Sequence, residues 1–247
     1  MSWFALGDSM TGTSHRARNT PCQDAMRFGT FGPDNEWLVI AVADGAGSAS
    51  HADKGAELAC NEFVNRVRSH STEALFTREG MTNLFESVRQ ALITEAERLG
   101  VSPRDCACTA LVAVVGPASI AIGQVGDGAI VLGDGERYRT VFWPDPAEFA
   151  NCTDFLTDER FAEALQFDTS TEPIAEVAVL TDGLQRLALD FATRTPHDAF
   201  FRPLFAGVRS AVDLESLFEP LRAFLDSPRV NQRTDDDKTL VLALRRP

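Results

Sequence analysis

The chain has 247 residues, of which 44% are hydrophobic and 24% charged, and 36 acidic against 23 basic side chains give a formal net charge of −13. These proportions exclude disordered, fibrous and collagen-like proteins, and the length suits one large domain or two small ones. Non-specific binding to nucleic acid or to an anionic membrane is disfavoured, because phosphate contacts need an excess of Lys and Arg. An acidic chain can instead hold cations, since crowded carboxylates repel one another unless positive charge lies between them.

The sequence also bears on the compartment. A membrane helix needs about 18 consecutive apolar residues, and the sequence has no such stretch. Residues 1–12 also lack the charged and apolar regions of a secretory signal. The five cysteines are odd in number and scattered, unlike the disulfide framework of a secreted protein. We therefore expect a cytoplasmic, monomeric protein that binds neither membrane nor nucleic acid.

Apolar runs rich in Val and Ile predict strands, and apolar residues at helical spacing predict helices. The predicted strands are residues 37–43, 109–115, 119–125, 129–132, 177–180 and 239–244. The predicted helices are residues 51–67, 81–99, 199–210 and 213–226. Residues 144–171 show no clear period, which indicates a long surface segment with a short helix near 159–165.

The order of these elements predicts the fold class. The strands between residues 109 and 132 are joined by connections of two or three residues, which is typical of an antiparallel meander. Helices occur in blocks rather than alternating with strands, which indicates an α+β fold with helices covering the sheets. No internal repeat or low-complexity linker divides the sequence, so we expect residues 1–247 to form a single domain.

Acidic residues recur where the predicted strands end or begin. Three strands are each followed by an Asp-Gly pair, and an acidic triplet precedes the last strand: Asp44-Gly45, Asp127-Gly128, Asp182-Gly183 and residues 235–237. A strand end holds a carboxylate rigidly, and the glycine lets the backbone turn sharply. If these ends converge, their oxygens can bind Mg²⁺ or Mn²⁺, and two such cations can bind a phosphate and activate water. Taken singly, an Asp-Gly pair is more simply a turn, as expected for Asp134-Gly135.

Five short motifs occur in order and span most of the chain. They are Gln23-Asp24-Ala25, Ala43-Asp44-Gly45-Ala46-Gly47-Ser48, Gly126-Asp127-Gly128, Leu180-Thr181-Asp182-Gly183-Leu184 and Asp236-Asp237-Lys238-Thr239. Together they closely resemble the type 2C, metal-dependent Ser/Thr protein phosphatase family, and Gly12-Thr13-Ser14-His15 is similar to its bacterial branch. The resemblance implies a four-layer αββα sandwich of two mostly antiparallel sheets flanked by helices.

The resemblance also implies the activity and the site. The family hydrolyses phosphoserine and phosphothreonine monoesters in proteins by attack of a metal-bridging hydroxide, with two Mn²⁺ or Mg²⁺ ions and allowance for a weaker third. The partners implied are a phosphoprotein substrate and, by analogy, a cognate Ser/Thr kinase. The implied metal ligands are Asp24, Asp44, Gly45, Asp127, Asp182 and Asp236. The candidate catalytic residues are Asp44, Asp182, Asp236, His15, Arg16 and Arg18.

Within those roles, Asp44 would bridge two metals and the Gly45 carbonyl would complete one coordination sphere. Asp182 and Asp236 would complete the other. Asp24 would act near the second metal through water, and Asp127 would help Asp182 to hold the third ion.

Two positions weaken the match around the phosphate. Gln23 stands where the family has Glu, and the lost charge predicts a second metal held less tightly or only through water. Asn19 stands where the family often has a phosphate-binding Arg. Arg16 or Arg18 can take that role, because a guanidinium binds phosphate through two hydrogen bonds, but solvated basic residues in a loop are equally expected.

A third departure concerns the general acid. Many eukaryotic members have a His where this chain has Ala46, so His15 is either a substitute general acid or a structural histidine. Residues 148–157 replace the usual segment beside the active site, and they either border the cleft and help to select substrates or form an ordinary surface cover.

These departures leave two alternatives open. One is a catalytically weak, phosphatase-like regulatory or binding module, against which the retained acidic residues argue. The other is a metal-dependent hydrolase of small phosphate esters or nucleotides.

Overall fold

The computed structural model describes residues 1–69, 72–144 and 153–246. Ten strands form two five-stranded sheets in which every neighbouring pair is antiparallel. The first sheet has the order β1-β12-β9-β6-β7, the second has the order β2-β3-β4-β5-β8, and β10 and β11 form a separate short ribbon. The strands are β1 (Ser2–Met10), β2 (Asp24–Phe31), β3 (Trp37–Asp44), β4 (Ala110–Val115), β5 (Ile120–Val125), β6 (Ala129–Gly133), β7 (Tyr138–Thr140), β8 (Gln166–Ser170), β9 (Glu176–Leu180), β10 (Leu189–Asp190), β11 (Thr195–Pro196) and β12 (Lys238–Arg246).

Helices lie on the outer face of each sheet. The α-helices among the described residues are α1 (Thr13–Arg18), α2 (Ala52–Ser69), α3 (Arg78–Leu99), α4 (Phe161–Ala164), α5 (Gln185–Ala188), α6 (Asp198–Ser210), α7 (Phe218–Leu225) and α8 (Pro228–Asn231). Short 3₁₀ turns occur at Glu73–Phe76, Pro103–Cys106, Asp182–Leu184 and Glu215–Leu217. None of the described helices is long and apolar enough to cross a membrane.

The alternation of side chains along β3 shows how one strand serves two cores. Leu38, Ile40 and Val42 belong to the apolar cluster between the two sheets, whereas Val39 and Ala41 belong to the cluster that includes α2 and α3. Successive strand residues point to opposite faces, so a strand buried on both sides has a continuous apolar sequence. This is why the run was recognisable in the sequence.

The outer layers complete the sandwich. Phe63 of α2 and Phe85 of α3 lie with ring centroids 4.8 Å apart in the core of the second sheet. Phe201 and Phe205 of α6, with Leu221 of α7, pack on the first sheet. The layers therefore run helix, sheet, sheet, helix, and the predicted α+β, αββα sandwich is confirmed.

The six predicted strands are present, but six others were missed: β1, β2, β7, β8 and the two-residue strands β10 and β11. Each lies at the edge of its sheet, where half-exposed positions mix polar with apolar residues and obscure the pattern. The predicted helix at 213–226 begins as a 3₁₀ turn and becomes α-helical at Phe218, so Pro220 falls in the first turn and removes no hydrogen bond. Residues 145–152 of the predicted surface segment lie outside the described residues.

The predicted meander is correct for β4 and β5 but wrong for β6. Strand β6 lies in the other sheet, between β9 and β7, so the chain crosses between sheets at the connection that carries Asp127. At this connection Gly126 and Gly128 have φ angles of +88° and +123°, which residues other than glycine rarely adopt. A Cβ on Gly128 would also lie 3.0 Å from the carbonyl oxygen of Leu180. The glycines thus serve a crossover rather than a hairpin.

Candidate metal centre

The acidic residues of the predicted site lie at one end of the two sheets. Asp24 and Asp44 are register partners at the adjoining ends of β2 and β3. Strand β9 ends beside the start of β12, which brings the segments carrying Asp182 and Asp236 together. The crossover between the sheets adds Asp127 at the same end. Antiparallel pairing therefore gathers carboxylates that are far apart in the sequence.

Three of these carboxylates approach one another closely. Asp44, Asp127 and Asp182 each offer an oxygen, and these oxygens all lie within 4.8 Å of one another. Oxygens that bind one Mg²⁺ at about 2.0–2.1 Å lie on opposite sides of it roughly 4 Å apart, so the group is close to the size of a cation site. Asp236 is exposed, and its charge acts on all three.

The electrostatics of the group favour a positive charge among its oxygens. Burial, followed by the charge of Asp24 and those of the other acids, raises the pKa of Asp44 well above its usual range. Burial and then the charges of Asp127 and Asp236 raise the pKa of Asp182 to about 7. Burial likewise raises the pKa of Asp127. A divalent cation among these oxygens would favour the ionised forms, so an oxygen-only donor set of this kind fits Mg²⁺ or Mn²⁺.

Asp24 joins the two sheets beside this cluster. Its Oδ2 accepts hydrogen bonds from the hydroxyls of Thr181, which follows β9, and Thr239 of β12, each at 2.7 Å. Burial raises the pKa of Asp24 to about 7 although both hydroxyls oppose the shift. A carboxylate from the second sheet is thus held by two residues of the first.

The backbone around Asp44 is fixed from several sides. Its N–H donates to the hydroxyl of Thr109 at 2.9 Å, and the N–H of Gly45 donates to the carbonyl of Gln23 at 3.0 Å. A Cβ on Gly45 would lie 2.6 Å from the carbonyl oxygen of Ala52, so glycine is required where the chain passes from β3 to α2. The carboxylate that the resemblance places between two metals therefore has a rigid support.

The sequence also matches known proteins. Residues 11–226 match the family Protein phosphatase 2C. The chain belongs to the protein phosphatase 2C family. A curated relative from Escherichia coli (strain K12), Serine/threonine-protein phosphatase 3, is 42% identical over 250 residues, which are 99% of this chain and 99% of the relative.

Solved structures show the same fold at lower identity. The serine/threonine phosphatase Stp1 from Staphylococcus aureus is 14% identical with a TM-score of 0.67, covering 100% of this chain and 96% of that one. A bacterial serine phosphatase is 15% identical with a TM-score of 0.67, covering 97% of this chain and 96% of that one. The resemblance drawn from the motifs is confirmed.

The basic residues that were predicted to bind phosphate or donate a proton in this protein phosphatase 2C chain have different surroundings. Arg16 donates two hydrogen bonds to Asp226, at 2.9 and 2.5 Å, and this contact lowers the pKa of Asp226 to about 2. Arg18 is exposed, and its guanidinium has no hydrogen bond or ion pair with any described residue. His15 Nδ1 lies 2.9 Å from Asp237 Oδ2. Arg16 and His15 therefore have partners within the protein, whereas Arg18 has none among the described residues.

Two further departures from the family pattern, Gln23 and Ala46, are buried. Gln23 is 8% exposed, and its Oε1 accepts no hydrogen bond from the described residues. Ala46 lies in a small apolar cluster with Ala49, Ala52 and Ala107, so this position is filled by packing rather than by an ionisable side chain.

The predicted segment 148–157 is described from Thr153 onward. The Thr153 hydroxyl donates to Asp127 Oδ2 at 3.2 Å, and Phe155 packs against the cluster around Ala46. The described part of the segment thus borders the acidic cluster, while its role in selecting substrates stays a prediction.

The polar residues that hold the acids in place were not predicted from the sequence. Gln124 is 2% exposed and donates through Nε2 to the carbonyls of Gly126 and Gly128, at 3.2 and 3.4 Å. It therefore supports both sides of Asp127. A single polar residue inside the apolar run of β5 was the available signal.

Proposed function

We propose that this chain hydrolyses phosphoserine and phosphothreonine monoesters in proteins, at a metal centre formed by the acidic cluster. The observation that carries the proposal is the convergence of Asp44, Asp127 and Asp182 in a protein phosphatase 2C fold. The full-length match to a curated serine/threonine-protein phosphatase supports the substrate class.

The acids would hold two Mn²⁺ or Mg²⁺ ions, with a weaker third. Asp44 is the central ligand in this proposal, with Asp182, Asp236 and the Gly45 carbonyl beside it, and Asp127 shares the weaker ion with Asp182. When bound, the cations supply neutralisation of phosphoryl charge and a lowered pKa for water. The chain itself keeps the carboxylates rigid, and Asp24 stays in place through its two threonine hydrogen bonds.

Arg18 is the residue that we assign to the phosphate. Its guanidinium is exposed and can donate two hydrogen bonds to an anion, whereas Arg16 is bound to Asp226. His15 remains the candidate general acid, and its ring is oriented by the contact with Asp237.

We also propose that the chain folds as a single domain, that it is a monomer and that it is cytoplasmic. Strand β1 pairs with β12 along their whole length, which supports one domain. Among the described residues only Met1, Val212 and Phe218 are exposed large hydrophobics, which suits a monomer. The described cysteines are free thiols, as in a reducing compartment. The partner is a phosphoprotein, and we propose a cognate Ser/Thr kinase as one such substrate.

The experiment compares phosphate release from a panel of phosphoserine and phosphothreonine peptides with release from nucleotides, in Mn²⁺, in Mg²⁺ and in EDTA. We expect peptide turnover that requires the cation and is lost in Asp182→Asn. The matched control is Asp134→Asn, which changes an acid at the β6–β7 turn and should leave turnover intact.

The other outcomes point elsewhere. Faster turnover of nucleotides than of every peptide would identify a small-molecule phosphohydrolase. Inertness towards all substrates with both metals would contradict catalysis and favour a regulatory module.

A further inference from the structure

The acid beside the metal ligand Asp236 is buried and serves a different purpose. Asp237 is 2% exposed, and its carboxylate accepts three hydrogen bonds. The backbone N–H of Gly12 donates to Oδ1 at 2.6 Å, while the N–H of Gln23 and the ring of His15 contact Oδ2 at 2.6 and 2.9 Å. All three partners belong to residues 12–23, the loop that contains α1 and precedes Asp24.

Asp237 therefore fixes both ends of that loop. Ser14 adds a hydrogen bond from its N–H to the carbonyl of Asp235 at 2.9 Å. A Cβ on Gly12 would lie 2.4 Å from the carbonyl oxygen of Asp235, so the loop backbone packs directly on residues 235–237. The contact depends on glycine at this position.

Asp237 also contacts the proposed metal ligand Asp236 and the chain neighbours of Asp24 and Asp182. Its N–H donates to Asp236 Oδ1 at 2.9 Å, and its carboxylate accepts from the residue before Asp24. A Cβ on Gly183, the residue after Asp182, would lie 1.9 Å from the Asp237 carbonyl oxygen. One residue thus connects the three backbone segments that carry Asp24, Asp182 and Asp236.

We propose that Asp237 is a positioning residue of the metal centre, whose buried carboxylate docks loop 12–23 on the start of β12 and so sets the geometry of the ligands around it. The inference rests on the metal centre proposed above. In this arrangement His15 completes the hydrogen bonding of Asp237, and the loop that carries Arg18 is held against the cluster.

Asp237→Asn is a sharp test because the two backbone donors cannot change roles. Gly12 donates to one carboxylate oxygen and Gln23 to the other. Whichever way the Asn amide is turned, its NH₂ group meets one backbone N–H, so one of the two hydrogen bonds is lost. The substitution nearly preserves size and removes no proposed metal ligand.

The measurement is Mn²⁺ binding to the full chain by isothermal titration calorimetry, with folding checked by circular dichroism in EDTA. Loss of a residue that orients metal ligands typically weakens metal binding about 10- to 100-fold, and we expect that range for Asp237→Asn. We also expect saturating Mn²⁺ to restore most of kcat for p-nitrophenyl phosphate, because every ligand is still present. Asp134→Asn is the control, since Asp134 also accepts two backbone hydrogen bonds but lies at the β6–β7 turn.

A folded Asp237→Asn protein that binds Mn²⁺ within twofold of wild type would overturn the inference while leaving the proposed function intact. Wild type that binds no Mn²⁺ would instead refute the metal centre itself. If Asp237→Asn does not fold, His15→Ala decides, because it removes one donor and keeps the carboxylate. Binding at least threefold weaker supports positioning, and unchanged binding contradicts it.

Discussion

Without divalent cations, the protein should become less stable as the pH rises. In the folded protein the pKa of Asp182 is raised to about 7 from an ordinary 3.8, so the folded state binds the proton more tightly than the unfolded chain. The stabilisation is complete below the unfolded pKa and is lost as the pH rises through the folded value. Between pH 5 and 7.5 one such group lowers the free energy of unfolding by about 2–3 kcal/mol.

The assay is urea unfolding in EDTA at pH 5, 6, 7 and 7.5, with wild type compared with Asp182→Asn. The difference between the two isolates this carboxyl from the rest of the titrating protein. The stability advantage of the variant over wild type should grow by about 2–3 kcal/mol between pH 5 and pH 7.5, because the variant carries no ionisable group at this position. Mn²⁺ at about 100 times its Kd should then stabilise wild type by about 2.7 kcal/mol, and the variant much less.

Two results would refute the reasoning. One is a metal-free wild type whose stability relative to Asp182→Asn does not fall between pH 5 and 7.5. The other is an unfolding midpoint at pH 7.5 that millimolar Mn²⁺ does not change.

Four further substitutions, of which Arg16→Ala serves as a comparison, test the parts of the site separately. Arg18→Ala should raise KM for a phosphopeptide about 10- to 100-fold, because it removes a hydrogen bond to a charged group. Arg16→Ala should change KM little. Equal effects of the two substitutions in steady-state kinetics would contradict the assignment of Arg18 to the phosphate. Gln124→Leu should cost about 1–3 kcal/mol in urea unfolding, because two carbonyls beside Asp127 lose their donor, and a neutral effect would mean that these bonds are dispensable. Thr239→Val removes one of two hydroxyls from a buried carboxylate and should cost a similar amount in EDTA, which the same unfolding experiment measures.

Much of the fold was readable because burial on both faces makes a strand apolar throughout. Strands β3, β4 and β5 are buried at nearly every position and were predicted closely. Strands β1 and β2 lie at sheet edges with many half-exposed residues and gave no clear pattern. The crossover at Asp127 was misread because a short Gly-Asp-Gly connection fits a hairpin as well as a change of sheet.

The candidate site stands out in the sequence only where its chemistry is concentrated in a motif. The carboxylates Asp44 and Asp182 stand out because each follows a strand and precedes a glycine. The hydrogen bonds from Thr181 and Thr239 to Asp24 depend on how two sheets face each other, which no local pattern encodes. The three partners of Asp237 are likewise set by tertiary packing.

The pairing of β1 with β12 has a consequence for the way the protein is made. Strand β12 is the middle member between β1 and β9, although it is synthesised after both, so β1 stays without its neighbour until β12 emerges. Contacts between residues so far apart in sequence form slowly. Asp236 lies two residues before β12, so the segment that carries it takes its place beside β9 only once β12 has paired. With Asp236 as the metal ligand proposed above, catalysis therefore begins only when the first sheet is complete.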